Sequence, residues 1–208
     1  MHDEYYTIAR PASAEIKVKG SRFIGETFLV STPDDALDRL ETVRKREHAA
    51  THHCYAYRVG LGDQPTFKYS DDGEPNGTAG KPIYDAVCGR DLTSTLLVVT
   101  RYFGGTKLGT GGLARAYADT AGLALDQSGR RQHFRWAHYR LELQFPWYDQ
   151  WLKLANRLDV RTEDSHFSEI VRLSVKIRQS RAPDLESAFV ELTSGKGTIE
   201  RIETASTD

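Results

Sequence analysis

Apolar residues along this chain recur with two periods, and the switches between them mark out the elements. Ile16 and Val18 alternate with Lys17 and Lys19, Gly20-Ser21 interrupts, and apolar positions resume from Phe23 to Val30. That pattern predicts two strands joined as a hairpin. Thr32-Pro33-Asp34-Asp35 then offers a capping hydroxyl, a proline at the first helical position and acids in the first turn. Ala36, Leu37, Leu40 and Val43 give the predicted helix its buried stripe. His52–Val59 predicts a strand and Thr66–Tyr69 its partner. A helix runs from Thr78 through Ile83, Ala86 and Val87 to a stop at Gly89. Leu96-Leu97-Val98-Val99 has the length of a buried strand. After it, Leu113, Ala116, Tyr117, Thr120, Ala121 and Ala124 recur at helical spacing, with Arg115, Asp119 and Asp126 on the opposite side.

The stretch from Asp126 to Arg135 is polar and basic, so a first domain is expected over 1–130, a linker over 131–135 and a second domain over 136–208. In that second domain Leu141, Leu143 and Phe145 alternate with polar residues, and Pro146 ends the strand. Trp147, Tyr148, Trp151, Leu152, Ala155 and Leu158 form a helical stripe, and Val160–Phe167 is a further strand. Val171, Leu173, Val175 and Ile177 give the clearest alternation in the chain. Pro183 opens a helix that Gly195 and Gly197 stop, and Ile199–Ile202 is a last strand. The order β-α-β-β-α-β is that of a ferredoxin-like unit. Its outer sheet face is expected to carry Arg140, Gln144, Arg172, Lys176 and Arg178 without aromatic side chains, a solvated charged face rather than an RNA platform.

Composition narrows the setting. Of the 208 residues 39% are hydrophobic and 27% charged, enough for folded α+β domains. No apolar run approaches the ~20 residues of a membrane span, and the start lacks the regions of a signal peptide. Two cysteines, Cys54 and Cys88, are too few for a disulfide framework, so a cytoplasmic protein without membrane partners is expected. Net charge is −1 overall, +1 up to Arg135 and −2 beyond it. Nucleic-acid binding would therefore have to come from a local patch.

One such patch stands out. Between the apolar run and the long helix lie Gly104, Gly105, Gly109, Gly111 and Gly112, which permit positive φ and outward-turned N–H groups. A helix start carries partial positive charge, and Lys107 adds a full one. The expected product is an anion cradle, suited to phosphate. Walker A fails because Thr110 follows Gly109 where lysine is required, and GxGxxG fails as well. Leu108–Ala114 is closer to the ATP loop of GHMP small-molecule kinases. The competing reading is that these glycines only allow tight strand–helix packing.

Other candidates are weaker. Asp71, Asp72 and Glu74 could hold magnesium or act as a base, but their setting is turn chemistry. Lys81 opposes the dipole of its helix, a hint of an anionic partner. His52 and Cys54 share one face of a strand and His53 the other, without a second paired-ligand motif, so no metal is expected. Cys54 lacks an evident activating partner. No catalytic set emerges, and no cofactor is implied.

Three blocks resemble the IMPACT/YigZ family: Arg101–Tyr117, Lys68–Pro82 and Thr51–Tyr57. They occur in order within one domain's length, and the resemblance covers nearly the whole chain. It implies a ribosomal protein S5 domain 2-like fold for the amino-terminal domain. For the ferredoxin-like carboxy-terminal domain it implies kinship with a module of elongation factor G. Both folds occur in translation factors that touch ribosomal RNA. Eukaryotic members restrain a starvation-activated kinase of an initiation factor by competing for its activator, using an additional RWD domain.

The resulting expectation is a non-enzymatic translation-associated protein that binds RNA, the ribosome or a protein partner in translation control. Arg101, Lys107 and Arg115 would neutralise phosphate, Gly104, Gly105, Gly109, Thr110, Gly111 and Gly112 would cradle it, and Lys81 would lie nearby. The alternative is a nucleotide-dependent phosphotransferase or phosphohydrolase using Asp71, Asp72 or Asp85. A third reading is a pure protein-interaction module. The oligomeric state is not legible.

Overall fold

The computed structural model, which describes residues 3–62 and 64–203, begins with a strand that the hydrophobic pattern does not reveal, β1 (Glu4–Ile8). The expected hairpin follows as β2 (Ala12–Val18) and β3 (Ser21–Leu29), paired antiparallel. Its two-residue turn has φ of +47° at Lys19 and +83° at Gly20. Positive φ at both positions gives a turn whose twist matches that of the flanking strands. In α1 (Pro33–Arg46) the Thr32 hydroxyl accepts from the Asp35 N–H at 3.1 Å, the cap expected from the sequence.

β4 (His52–Val59), β5 (Thr66–Ser70), α2 (Gly80–Cys88), β6 (Thr95–Tyr102) and α3 (Gly109–Ser128) complete the first layers. Five strands form an antiparallel sheet in the order β2-β3-β6-β4-β5. Alternate residues face opposite ways. Phe23, Cys54, Ala56, Leu97 and Val99 pack beneath α2 and α3. Tyr55, Tyr57, Leu96 and Val98 pack beneath α1 on the other face. Cover on both faces explains why Leu96–Val99 reads as an unbroken apolar run rather than an alternation.

The expected linker is instead a strand. β7 (Arg130–Phe134) pairs with β1 in a two-stranded sheet, so most of 131–135 belongs to regular structure. Both strands are largely polar, and their pairing is dressed by contacts that no local period records. His133 stacks on Tyr5 with ring centroids 5.0 Å apart, and the Arg130 guanidinium lies 3.3 Å from the Tyr6 ring centroid. The chain divides into two units near this strand, one spanning Tyr5–His133, the other running from Phe134 onward and taking in the first few residues.

The second unit follows the expected order: β8 (Trp136–Leu143), α4 (Tyr148–Leu158), β9 (Arg161–Phe167), β10 (Val171–Arg178), α5 (Ala182–Thr193) and β11 (Thr198–Ile202). Its four strands lie in the order β11-β8-β10-β9, every neighbouring pair antiparallel. Tyr139, Leu141, Val175 and Ile177 face Trp151, Leu185 and Phe189 in a buried core. β8 starts earlier than the pattern of Leu141 and Leu143 suggests, and that start sets Trp136 directly opposite Arg178. Because Ala137 and Ile177 point into the core, Trp136 lies on the outer face, which therefore carries an aromatic side chain after all. Gln144 falls beyond the end of β8. Among the described residues no helix is long and apolar enough to cross a membrane.

Candidate functional site

β6 hands the chain to α3 through a loop of two characters. Its first part is tied down. The Phe103 N–H donates to Thr51 Oγ1 at 3.2 Å, and the Gly104 N–H donates to Ser21 Oγ at 3.1 Å. A Cβ on Gly104 would lie 1.9 Å from the carbonyl carbon of Gly20 in the β2–β3 turn, so two backbones touch where no side chain fits. The packing explanation for the glycines holds for Gly104.

Beyond it the loop is open. Gly105 and Gly109 have φ of +85° and +74°, and a Cβ on Gly105, Gly109 or Gly111 would meet nothing within 4 Å. No side chain caps α3, and its first turn holds no acid. The N–H groups of that turn are therefore left to solvent or a ligand, with the positive end of the helix dipole uncompensated. Thr106, Lys107, Thr110 and Arg115 are exposed. Among the described residues, no carboxylate lies within 4.0 Å of Lys107 or Arg115. The structure thus brings Gly105, Lys107, Gly109, Thr110 and Gly111 together on an open surface, with Gly112 half-buried and Arg115 one turn further along.

Arg101 departs from the expectation. Instead of facing solvent it is buried, with Nη1 donating to Glu74 Oε1 at 2.5 Å and the two side chains only 6% and 4% exposed. Nη2 donates to Ser21 Oγ at 3.3 Å, and the guanidinium sits between the rings of Phe23 and Phe103 at 5.3 and 5.5 Å. Its position near the end of β6 puts it on the face beneath α3, the same parity as Leu97 and Val99. Arg101 is structural support for the loop, not a phosphate ligand.

Glu74 is the hub that the sequence reading did not identify. Besides Arg101 it accepts from the Tyr117 hydroxyl at 2.8 Å, and His52 Nε2 lies 3.9 Å away. His52 Nδ1 contacts the Asp72 carbonyl at 2.8 Å; a carbonyl can only accept, so Nδ1 carries the proton. The Cys54 thiol lies 3.0 Å from the Asp71 carbonyl and 3.3 Å from the Tyr117 oxygen. Burial pushes both the Cys54 thiol and the Tyr117 phenol up from their ordinary values, so neither ionises near neutrality. All three sequence blocks converge here. The signal available beforehand was their co-occurrence alone, since Glu74 looks like a turn residue and Tyr117 like one more position of an apolar stripe.

The remaining acids are occupied. Asp71 accepts from the N–H groups of Gly77, Ala79 and Gly80 at 2.8–2.9 Å, an anchor for the start of α2. Asp72 pairs with Arg44 at 2.9 Å and accepts from the His53 N–H at 2.7 Å. Lys81 pairs with Asp85 one turn on, which answers its position at the wrong end of the dipole without an external anion. Among the described residues, no three His, Cys, Asp or Glu side chains are grouped to hold a metal ion.

Comparison with known proteins gives a consistent picture. The Impact N-terminal domain family matches residues 19–125. The IMPACT family member YvyE of Bacillus subtilis is 35% identical over 204 residues, covering 96% of this chain and 91% of its own. The IMPACT family member YigZ of Escherichia coli is 31% identical over 198 residues, covering 94% and 96%. A crystal structure of a hypothetical protein superposes with a TM-score of 0.66 at 29% identity, covering 99% of this chain and all of its own.

Proposed function

The chain belongs to the IMPACT family, and from that premise we propose that it is a non-enzymatic, cytoplasmic, translation-associated protein. It engages RNA on the ribosome, or a translation factor, through the open start of α3. The observation that carries this reading is the uncapped first turn, with Lys107 and Arg115 exposed and, among the described residues, without a carboxylate within 4.0 Å. Uncapped N–H groups, a dipole end and two exposed cations favour a phosphate. The two units are read as S5 domain 2-like and ferredoxin-like, the latter supported by the order β11-β8-β10-β9.

The phosphotransferase alternative needs a free carboxylate beside the loop. Asp71, Asp72, Glu74 and Asp85 are all engaged in hydrogen bonds or ion pairs, which counts against it.

Co-sedimentation with ribosomes over a salt series tests the proposal, with the Lys107→Ala/Arg115→Ala variant beside the wild type. Salt-dependent binding that the variant loses is the expected result. Wild-type protein that stays in the supernatant at low salt would overturn it. Magnesium-ATP serves as the counter-probe: at 100-fold over a dissociation constant it would add about 2.7 kcal/mol of stability, and no such shift is expected.

A further inference from the structure

The outer face of the second unit's sheet is mostly self-neutralised. Arg140 pairs with Glu200, Arg172 with Glu142, and Lys176 with Glu163 at 2.6 Å. At one corner the pairing runs out. The Arg178 guanidinium lies 3.4 Å from the Phe134 ring centroid and 4.3 Å from that of Trp136. Arg161 lies 4.9 Å and the Lys176 ammonium 5.5 Å from the same indole. Three cations thus converge on one half-buried ring, with Glu163 their single carboxylate among the described residues. Among the described residues neither Arg161 nor Arg178 has an acidic partner within 4.0 Å, and Arg178 Nη1 has no acceptor at all.

Like charges gathered around one ring repel each other, and the ring's quadrupole compensates only weakly at a surface. An anion would relieve them. The flat groups matter as much as the charge: the Phe134 and Trp136 rings meet edge to face, 6.4 Å apart and inclined at 63°, with the Arg178 guanidinium lying over both, and an indole beside such cations suits a nucleobase better than an acidic peptide. We infer that this corner, built on Trp136, Arg161 and Arg178, is a binding platform for single-stranded RNA. A base stacks on the Trp136 indole, and its phosphates meet Arg161 and Arg178. The platform goes beyond the α3 loop and stands or falls separately from it.

The test is fluorescence anisotropy of a labelled mixed-sequence RNA 12-mer with the full chain across a salt series. Arg161→Ala/Arg178→Ala is expected to weaken binding at least tenfold and to reduce the salt slope by about 1.4, the contribution of two single-strand phosphates. Trp136→Ala should weaken binding about fivefold or more at every salt concentration, stacking being uncharged, and Trp136→Phe should restore most of it. Arg140→Ala, on the same face but paired, should bind as wild type. Retention of the aromatic in Trp136→Phe separates loss of stacking from loss of fold. Failure of the wild type to bind the strand, unchanged affinity in the corner variants, or equal competition by poly-glutamate would overturn the platform. Loss in Lys107→Ala alone would also overturn it while leaving the α3 loop reading intact. Loss in the corner variants alone would uphold the platform and remove the loop from RNA binding.

Discussion

Arg101 Nη1 and Glu74 Oε1 lie 2.5 Å apart in a site almost closed to solvent, and this pair joins β6 to the loop that precedes α2. Removing one partner strands the other charge in a poor solvent. Arg101→Met should therefore cost about 3–5 kcal/mol. The double variant Glu74→Leu/Arg101→Met should cost less than Arg101→Met alone, because no charge is left uncompensated. Urea unfolding followed by circular dichroism checks this, and simple additivity of the two single losses would refute it.

Gly104 and Gly111 should respond in opposite directions. Alanine at 104 drives a Cβ into the backbone of Gly20 and should destabilise by about 1–3 kcal/mol, since the β2–β3 turn cannot give way as a side chain would. Alanine at 111 enters open space in the first turn of α3 and should stabilise by about 0.5–1 kcal/mol. If the α3 start is the anion site, the same Gly111→Ala change weakens ribosome binding while raising the melting temperature, a combination that a purely structural loop would not give.

Tyr139 donates to Glu186 at 2.5 Å, and burial together with that bond pushes its hydroxyl up to about 12. Between the ordinary tyrosine value of about 10 and that folded value, the unfolded chain has lost a proton that the native one keeps. Stability from this residue is complete below pH 10 and declines as pH rises towards 12, by at most about 1.4 kcal/mol per pH unit. Tryptophan-monitored urea midpoints from pH 9 to 12 should fall more steeply in wild type than in Tyr139→Phe. Parallel curves would show that the hydroxyl is not held as described.

Glu47 works in the opposite sense. Hydrogen bonds from Tyr102 and Arg46 hold its carboxyl below the ordinary value of 4.5. Its contribution is present above pH 4.5 and is lost as pH falls through the folded value. Glu47→Gln should unfold with a shallower acid dependence below pH 4.5 than wild type, monitored by circular dichroism.

The two cysteines should react at very different rates with a thiol reagent. Cys54 is buried and held as the thiol, whereas Cys88 is partly accessible. One equivalent should react readily, and Cys88→Ser should abolish that phase. Rapid modification of Cys54 in the folded protein would show that the Glu74 cluster opens.

Much of this architecture is legible before any coordinates. The alternation at Ile16 and Val18, the Thr32 cap, the β6 run and the stripe from Leu113 to Ala124 each depend on neighbours within a few residues, and each element formed where its period lies. The glycine-rich start of α3 was visible for the same reason, as local chemistry at a strand–helix junction.

What the chain's own order could not disclose are relationships between residues far apart in it. Arg101 and Glu74 are 27 positions apart, and whether that arginine meets water or a buried carboxylate depends on which loop folds over the end of β6. β1 and β7 carry no hydrophobic period: β1 gives the core only Ile8 at its end, with Tyr6 against it, and backbone pairing and side-chain stacking do the rest. Trp136 became part of a cationic platform only through the register that sets it against Arg178. Hydrophobic burial writes itself into the sequence because it repeats with the backbone. Charge pairing and register do not repeat, and the tertiary structure alone assigns them.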